Sequence, residues 1–248
     1  MIIMPFARNG GVRIHYEAKG NDKFDTLVLQ HGFYGSCEDW FELGYVGALK
    51  EKYQVVTVDA RGHGQSDKPH DPAQYTPYLR ALDVITVLDE LKIEKCSYMG
   101  FSMGGWIAFG LMRWFPGRFH SFILDAVHPY ANDMAGIREG IETMDEWIPQ
   151  IPTSEERKRR MLGCDRVALR AAVSAPRADN SDVLRSLKVP CLMLDGERDE
   201  INCLMKESAL LSKQIEFITI PDEDHDGSLT NGGFVIPRVR EFLSLLWL

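Results

Sequence analysis

Two hydrophobic periodicities alternate along the chain. Seven short segments are apolar and rich in β-branched residues, or alternate apolar with polar positions, as buried and half-buried strands do. They are VRIHYEA (12–18), TLVLQ (26–30), QVVTVD (54–59), KCSYMG (95–100), SFILDA (121–126), PCLMLDG (190–196) and IEFITI (215–220). Because longer segments with helical spacing lie between most of them, the pattern predicts an α/β fold with an open parallel sheet and helices on both faces.

The helical spacing predicts five longer helices. They are DWFELGYVGALKEK (39–52), YTPYLRALDVITVLDELK (75–92), SMGGWIAFGLMRWF (102–115), LMKESALLSKQ (204–214) and NGGFVIPRVREFLSLLWL (231–248). Pro237 is expected in an early turn of the last helix, where a missing backbone N–H costs little.

One interval breaks this alternation. Residues 129–187 contain amphipathic segments but no clear strand, so we predict a small helical cap there and a core formed by residues 1–128 and 188–248. The interval leaves one strand end and returns to the next, which should carry it across the carboxyl edge of the sheet. Its charged run Glu155–Arg160 is expected to face water. Its apolar residues are expected to form an underside: Met144, Trp147, Ile148, Ile151 and Met161.

Composition and charge narrow the class of partner. The chain has 248 residues, enough for one large α/β domain, and a net charge of −8. Phosphate binding needs a basic face, so this charge disfavours nucleic acid and anionic membranes as main partners. The charge gives no positive indication of the substrate. A small-molecule partner is expected from the candidate chemistry below, and the oligomeric state stays open.

The cysteines and the chain start bear on location. The five cysteines are scattered and form no CxxC pair, which favours free thiols in a reducing compartment. The segment MIIMPFARNGG lacks a basic region followed by a long apolar stretch, so no secretory signal is evident. No apolar run approaches the roughly 18 residues of a membrane span. We therefore expect a soluble, cytoplasmic protein.

The segment GFSMG carries the first candidate chemistry. Gly100 and Gly104 flank Ser102 between a predicted strand and a predicted helix, which is the G-x-S-x-G nucleophile elbow. Ligands bind at the carboxyl ends of parallel strands, and Ser102 lies at such an end. The alternative is a glycine-rich packing turn with an incidental serine. The strand–turn–helix context favours the nucleophile.

A serine nucleophile needs a base and an orienting acid. His225 follows the segment 215–220 within a few residues, so it should lie at the same edge of the sheet as Ser102. Asp199, just past the segment 190–196, is the favoured acid. Three other carboxylates remain as alternatives: Asp125, Glu197 and Glu200.

The segment LQHGFYG, at another strand end, supplies a second element of the site. It is expected to leave the Phe33 amide free beside the Met103 amide, which makes two donors for a developing oxyanion. Substrate contacts are predicted for Tyr34, Trp147 and His128. In the segment VDARGHGQSDKP, we expect Asp59 and Arg61 to pair and hold a turn near the site.

These motifs together resemble the α/β-hydrolase superfamily. HGF, DARGHGQSDKP, GFSMGG, GERD and DH occur in its order and at its spacings over nearly the whole chain. The resemblance implies a mostly parallel eight-stranded sheet, a Ser102–His225–Asp199 triad, oxyanion amides at Phe33 and Met103, and no cofactor. No metal is expected either. Many relatives have Gly before the histidine, whereas this chain has Asp224 there and Asp226 after it. Two extra carboxylates should raise the histidine pKa if they face the ring.

The nucleophile narrows the reaction class. Haloalkane dehalogenases and epoxide hydrolases of this fold resemble the chain but use an aspartate, so Ser102 argues against both. A serine favours attack on a carbonyl carbon, and we expect hydrolysis of a small carboxylic ester through an acyl-enzyme. Carbon–carbon or enol-lactone hydrolysis on the same triad is the enzymatic alternative. A small-molecule receptor with little turnover is the alternative from another class.

Overall fold

An eight-stranded sheet forms the centre of the molecule in the computed structural model, which describes residues 5–246. The strands are β1 (Phe6–Asn9), β2 (Val12–Lys19), β3 (Thr26–Gln30), β4 (Gln54–Val58), β5 (Cys96–Phe101), β6 (Phe119–Asp125), β7 (Cys191–Gly196) and β8 (Ile215–Ile220). Their order is β1-β2-β4-β3-β5-β6-β7-β8. Strand β2 runs antiparallel to both neighbours, and β3 to β8 are parallel. The predicted fold class is confirmed.

The hydrophobic pattern of the sequence did not predict the first strand, β1. Strand β1 has four residues, and its sequence FARN is too short and too polar to show an alternation. It pairs with β2 through a tight hairpin at Gly10 and Gly11, both of which have positive φ. Residues 1–4 of the predicted core and residues 247–248 of the predicted last helix lie outside the described residues.

The helices cover both faces of the sheet. The α-helices are α1 (Cys37–Glu42), α2 (Tyr45–Leu49), α3 (Pro77–Glu90), α4 (Met103–Trp114), α5 (Ala135–Glu142), α6 (Met144–Trp147), α7 (Glu155–Leu162), α8 (Arg166–Ala172), α9 (Ser181–Arg185), α10 (Asn202–Ala209), α11 (His225–Thr230) and α12 (Gly232–Leu245). Short 3₁₀ helices occupy Pro72–Tyr75, Pro116–Arg118 and Ile148–Gln150. Among residues 5–246, none of these helices has the length and apolar character needed to cross a bilayer.

Two helices depart from the expected pattern. The predicted helix 39–52 is divided into α1 and α2 because Gly44 takes φ 83°, a left-handed conformation that glycine adopts at low cost. Pro237 lies inside α12 rather than in its first turn, so the helix lacks one backbone donor at that position. Helix α3 begins as expected of a capped helix, because the Thr76 hydroxyl accepts the Leu79 amide at 3.3 Å before Pro77.

Each strand sends alternate side chains to opposite faces of the sheet. In β5, Tyr98 packs in the cluster that contains α3 and α4, whereas Met99 packs in the cluster that contains α1, α2 and α12. In β3, Val28 and Leu29 divide in the same way. The sheet is thus buried on both sides, which explains why its strands are nearly continuous apolar runs.

Residues 129–187 are helical and contain α5 to α9. The apolar side chains of α5 to α8 form a third cluster with Tyr34, from the loop after β3, whereas Val183, Leu184 and Leu187 pack in the core cluster that contains α3 and α4. The expectation that Glu155–Arg160 faces water is only partly right. Arg157 is buried and its guanidinium binds the Asp226 carboxylate at 2.8 Å, while Arg160 bonds Asp39 at 2.9 Å. Helix α7 is therefore tied to the core by ion pairs.

Candidate active site

Ser102 occupies a sharp turn between β5 and α4. Its backbone φ is 49°, a region that side-chain-bearing residues rarely adopt, and its amide donates to the Asp125 carbonyl at 2.8 Å. The two glycines are required by close approach. A Cβ on Gly100 would lie 2.4 Å from the Gly104 carbonyl carbon, and a Cβ on Gly104 would lie 2.2 Å from the Gln30 carbonyl oxygen. The turn therefore holds the serine hydroxyl above the N-terminus of α4.

The structure brings the three predicted residues Ser102, His225 and Asp199 into one hydrogen-bonded chain. His225 Nε2 lies 3.1 Å from Ser102 Oγ, and His225 Nδ1 lies 2.6 Å from Asp199 Oδ2. Asp199 follows β7 and His225 begins α11 after β8, so both come from the carboxyl edge of the sheet. The Asp199 side chain is 5% exposed, whereas the His225 ring is 45% exposed and opens to a cavity. This is a geometry in which a histidine can accept the serine proton.

The hydrogen bond between Asp199 and His225 sets the charges of both groups. Burial alone would raise the pKa of Asp199, but its hydrogen bond to His225 and the histidine charge hold that pKa below its usual value. Burial would lower the pKa of His225, but the hydrogen bond and the charge of Asp199 raise it above its usual value. Smaller contributions to the raised pKa of His225 come from Asp125 and Asp195.

Asp195, the next-to-last residue of β7, is a buried carboxyl group close to Asp199 that sequence reasoning missed. Burial and the neighbouring Asp199 charge raise its pKa to about 8, so it carries a proton at neutral pH. Asp195 Oδ2 accepts a hydrogen bond from the Asn202 side-chain amide at 3.0 Å, and the charge of Asp199 acts on the Asp195 carboxyl from nearby. One feature of the sequence could have pointed to Asp195. It follows directly after the apolar run CLML, and an unpaired charge at the end of a buried strand is costly.

The alternative acids do not contact the imidazole nitrogen that Asp199 occupies. Asp125 is fully buried, and neither of its carboxylate oxygens has a hydrogen-bond partner among residues 5–246. Burial raises its pKa to about 7. Glu197 accepts the Asp222 amide at 3.2 Å, and Glu200 lies at the rim of the cavity. Asp199 is thus the carboxylate that the geometry pairs with His225.

The amides of Phe33 and Met103 are free to donate. Met103 is the first residue of α4, and neither amide donates a hydrogen bond within the described chain. Gly32 allows the Phe33 loop to approach the serine, because a Cβ there would lie 3.4 Å from Ser102 Cβ and closer still to the Phe101 ring. Both amides are therefore unpaired donors near Ser102, which is what the predicted oxyanion role needs.

A cavity of about 600 Å³ lies above Ser102 and His225. Its walls come from the loop after β3 and from the cap, through Tyr34, Trp147 and Met161. The Tyr34 and Trp147 rings meet edge to face at 5.2 Å, and Trp147 Nε1 donates to the Gly140 carbonyl at 2.9 Å. Trp147 is therefore held in place over the cavity by a ring contact and by a hydrogen bond.

His128 does not line this cavity, contrary to the predicted substrate contact. It is buried, its Nδ1 accepts the Tyr130 amide at 3.2 Å, and its ring stacks on Tyr130. Burial and the Arg177 charge lower its pKa. The contacts of His128 are thus with Tyr130 and not with the Ser102 cavity.

Asp224 and Asp226 bind partners other than the His225 ring, so the condition under which they were expected to raise the histidine pKa is not met. The Asp224 carboxylate accepts the Gly227 amide at 2.8 Å and so caps α11. Asp226 forms a two-bond ion pair with Arg157, at 2.8 and 2.9 Å. Arg157 also lies 3.6 Å from Asp39 and lines the cavity. Arg157 and Met161 are four residues apart on α7 and so lie on the same face of the helix. The apolar Met161 was therefore an indication that this face of the charged helix is buried.

The expected pair of Asp59 and Arg61 is absent. Arg61 instead forms a buried two-bond ion pair with Asp83, with both bonds at 2.6 Å. Asp59 accepts hydrogen bonds from the amides of Cys37 and Gln65 and lies 2.8 Å from His15 Nδ1. His15, Cys37 and Asp59 also bring ligand-type atoms within 4.8 Å of one another. Because the Asp59 oxygens already have these partners, we interpret the group as structural.

Comparison with known proteins identifies relatives over the whole chain. The model of the alpha/beta hydrolase fold family matches residues 25–174. A Bacillus subtilis (strain 168) protein named as a 2-succinyl-6-hydroxy-2,4-cyclohexadiene-1-carboxylate synthase is 23% identical over 94% of this chain and 96% of its own. The bifunctional esterase/perhydrolase DCH of Acinetobacter calcoaceticus is 24% identical over 87% of this chain and 90% of its own. The solved enol-lactonase from Burkholderia xenovorans LB400 superimposes with a TM-score of 0.85 at 22% identity, covering 97% of this chain and 100% of that one.

Proposed function

The chain belongs to the α/β-hydrolase fold family and is a hydrolase enzyme, and we propose that it cleaves small carboxylic esters through an acyl-enzyme on Ser102. The observation that carries this proposal is the hydrogen-bonded chain from Ser102 through His225 to Asp199, at 3.1 and 2.6 Å. Such a chain activates a hydroxyl that is otherwise a weak nucleophile.

The proposed reaction has two halves. Ser102 Oγ attacks the ester carbonyl carbon while its proton passes to Nε2 of His225. The Phe33 and Met103 amides stabilise the oxyanion, the bond from the carbonyl carbon to the alkoxy oxygen breaks, and the alcohol leaves with that proton. Water then attacks the acyl-enzyme and gives a proton to His225. The bond from the carbonyl carbon to Ser102 Oγ breaks, His225 returns that proton to Ser102 Oγ, and the carboxylic acid is released. Asp199 stabilises the imidazolium that forms in each half.

Asp195 supports this role of Asp199. Because its pKa is raised to about 8, Asp195 is protonated at neutral pH and places no second anion beside Asp199. Asp199 can then keep its negative charge in a buried position while His225 gains and loses a proton.

The cavity supports a small, mainly apolar substrate. Its volume of about 600 Å³ is within the usual range for small-molecule sites. The aromatic rings of Tyr34 and Trp147 and the side chain of Met161 supply apolar contact above the nucleophile. Arg157 lines the same cavity, but its two terminal nitrogens are occupied by Asp226. We therefore propose neutral esters as the substrate class.

The test combines turnover with covalent labelling. Purified protein is assayed on p-nitrophenyl esters from acetate to decanoate, and in parallel with a fluorophosphonate whose site of attachment is mapped by peptide mass spectrometry. We expect steady turnover of the short esters and labelling at Ser102. Turnover without labelling of Ser102, or labelling at another serine, would contradict the mechanism.

Two further substrates separate the alternatives that use the same triad. An enol-lactone and a carbon–carbon substrate of the vinylogous 1,5-diketone type are added to the ester panel. A kcat/KM for either that exceeds the best ester by more than about tenfold, or 1.4 kcal/mol in the barrier, would move the assignment to that reaction. Labelling of Ser102 without turnover of any substrate would favour a receptor.

The cysteines support a reducing compartment, and we propose the cytoplasm. All five thiols are free, and three of them, Cys37, Cys96 and Cys191, are buried. Burial raises the pKa of Cys37, Cys96 and Cys191, so these thiols are poor nucleophiles. Fractionation of cells that express the untagged chain tests this location, and recovery outside the cytoplasmic fraction would contradict it.

A further inference from the structure

A second cavity, of about 410 Å³, lies on the other side of α4 from the Ser102 site. It is bounded by α3, α4 and the segment 171–180 at the end of the cap. Its apolar wall includes Trp106, Ile107 and Met134. The volume is sufficient for a small organic molecule.

Two arginines line this cavity without an ion-pair partner. Within residues 5–246, no carboxylate lies within 4.0 Å of the guanidinium of Arg80 or of Arg177. The Arg177 guanidinium lies over the Trp106 ring, 4.5 Å from its centroid, and makes no side-chain hydrogen bond within the described chain. Arg80 donates to the carbonyls of Tyr75 and Ala172, at 3.1 and 2.5 Å, which leaves one of its terminal nitrogens unoccupied.

The carboxylates near these arginines are engaged elsewhere. Asp83 is taken by the two-bond pair with Arg61. Asp179, at the rim of the cavity, accepts the Ser181 amide at 2.7 Å. A third arginine at the rim, Arg113, is paired with Asp182 at 2.8 and 2.9 Å. Arg80 and Arg177 therefore make no ion pair of their own in the described part of the chain.

Burial and mutual repulsion both disfavour the charged forms of these two arginines. Burial lowers the pKa of Arg177 well below its usual value, and the charge of Arg80 lowers it further. Burial also lowers the pKa of Arg80 to about 10. Two like charges in a half-buried, apolar place repel each other, and an anion between them would relieve both that repulsion and the lost hydration.

We propose that this cavity is a second ligand site, which binds a small organic carboxylate through Arg80 and Arg177 and holds its apolar body against Trp106, Ile107 and Met134. Guanidinium groups bind carboxylates with paired, charge-assisted hydrogen bonds, and the donors of Arg177 and the spare nitrogen of Arg80 are available for them. The apolar wall selects a ligand with a hydrocarbon or aromatic body over an inorganic anion.

The site is separate from the Ser102 cavity but adjoins it. The two cavities share no lining residue. Met103 connects them, because its side chain lines the second cavity and its backbone amide follows the nucleophile directly. Because the two cavities have no lining residue in common, a ligand in the second cavity should bind whether or not Ser102 is acylated.

Calorimetry on the intact protein tests the site. The probes are 3-phenylpropionate, its neutral amide 3-phenylpropanamide, hexanoate and inorganic phosphate, each measured before and after Ser102 is blocked with a phosphonate. We expect the two carboxylates to bind, the amide to bind at least about tenfold more weakly than its acid, and blocking of Ser102 to change neither result. Because blocked protein cannot turn over, failure of this site and failure of the proposed ester hydrolysis are distinguishable.

Matched variants assign the binding to the two arginines. Arg177→Met and Arg80→Met keep an apolar side chain of similar length and remove the charge, so each should weaken 3-phenylpropionate at least about tenfold and leave the weak binding of the amide unchanged. Arg113→Met is the control, because Arg113 lies at the same rim but is already paired with Asp182.

Four outcomes would overturn the proposal. These are binding of neither carboxylate to the wild-type protein, equal affinity for acid and amide, loss of binding once Ser102 is blocked, and phosphate binding as tightly as 3-phenylpropionate. The comparison of acid with amide needs no variant, so it decides the question even where Arg80→Met fails to fold.

Discussion

The carboxyl edge of the sheet and the cap are held in place in different ways. Ser102 and Asp199 follow strands β5 and β7, which are hydrogen-bonded to a parallel strand on each side, and His225 follows the neighbouring strand β8. The cap, residues 129–187, consists of short helices around a small cluster of its own. Its ties to the core include two arginines, Arg157 and Arg160.

These two kinds of support suit two different tasks, catalysis at the sheet edge and substrate selection by the cap. A triad needs its atoms held within a fraction of an ångström, which hydrogen-bonded strands provide. A binding wall needs only shape and apolar contact, which packed side chains such as Tyr34 and Trp147 provide. We therefore expect substitutions at the sheet edge to change the rate of all substrates, and substitutions in the cap to change which substrate is preferred.

The largest expected effect is loss of the nucleophile. Ser102→Ala should lower kcat on p-nitrophenyl acetate by ~10⁶, because only oxyanion stabilisation and binding remain. The hydroxyl faces the cavity and leaves no buried group unpaired, so the melting temperature should stay close to that of the parent. His225→Ala should be nearly as damaging. A Ser102→Ala variant that retains a tenth of the activity would contradict the triad.

The second expected effect separates the two aspartates. Asp199→Asn should lower kcat by roughly 10⁴, because the amide no longer stabilises the imidazolium and favours the wrong tautomer. Asp125→Asn is the matched control and should retain most activity, because Asp125 has a raised pKa and no hydrogen bond to His225. Steady-state kinetics of both variants measure this difference. The reverse ranking would transfer the orienting role to the end of β6.

The third effect is the pH dependence of kcat/KM. Only neutral His225 accepts the serine proton, and its pKa is raised by Asp199, so activity should fall about tenfold per pH unit below a midpoint that lies above the usual histidine value of about 6.5. The direction of this shift follows from the charge of the imidazole: because the pKa of His225 is raised, its protonated, inactive form persists to a higher pH. In the Asp199→Asn variant, the residual activity should have its midpoint at a lower pH than in the parent.

Asp224→Asn is the control for this profile. Asp224 accepts the Gly227 amide and caps α11, a role that asparagine also fills, so the midpoint should not move. A midpoint that falls in Asp224→Asn would show that this carboxylate faces the imidazole after all.

The smallest effect concerns the cap. Each methylene that gains apolar contact contributes ~0.8 kcal/mol, about fourfold in kcat/KM, until the cavity is full. We expect kcat/KM on the p-nitrophenyl series to peak at short acyl chains, and Trp147→Ala to shift the peak to longer ones. Trp114→Ala is the control, because Trp114 lies on α4 outside the Ser102 cavity. A Trp147→Ala profile like that of the parent would mean that the cap does not set the size limit.

Much of the fold and of the site followed from local pattern. Seven of the eight strands were recognisable from short apolar runs, and the motif GFSMG indicated a turn that only glycine permits at Gly100 and Gly104. The positions of Ser102, Asp199 and His225 after three parallel strands were enough to predict that they meet, because such strand ends share one edge of the sheet.

Partner choice was not predictable in the same way. Asp59 and Arg61 are two residues apart in the sequence but have different partners. Asp59 bonds His15, which lies 44 positions away, and Arg61 bonds Asp83, which lies 22 positions away. Arg157 looked like part of a solvated helix and is buried against Asp226. A charged side chain several bonds long reaches whatever acid the packing places beside it, and sequence spacing carries little information about that.

The sequence by itself determined the α/β class and the edge of the sheet at which Ser102, the candidate nucleophile, meets His225, the candidate base, since these depend on period, turn chemistry and chain order. Only the tertiary structure decided that Asp199 rather than Asp125 pairs with His225, that the buried Asp195 has a raised pKa beside Asp199, and that His128 lies outside the Ser102 cavity. Only the tertiary structure, too, brought Arg80 and Arg177 into one cavity without an acid between them. The physical reason is that hydrogen bonds and pKa values depend on distances of a few ångströms between segments far apart in the chain, and packing of the whole molecule sets those distances.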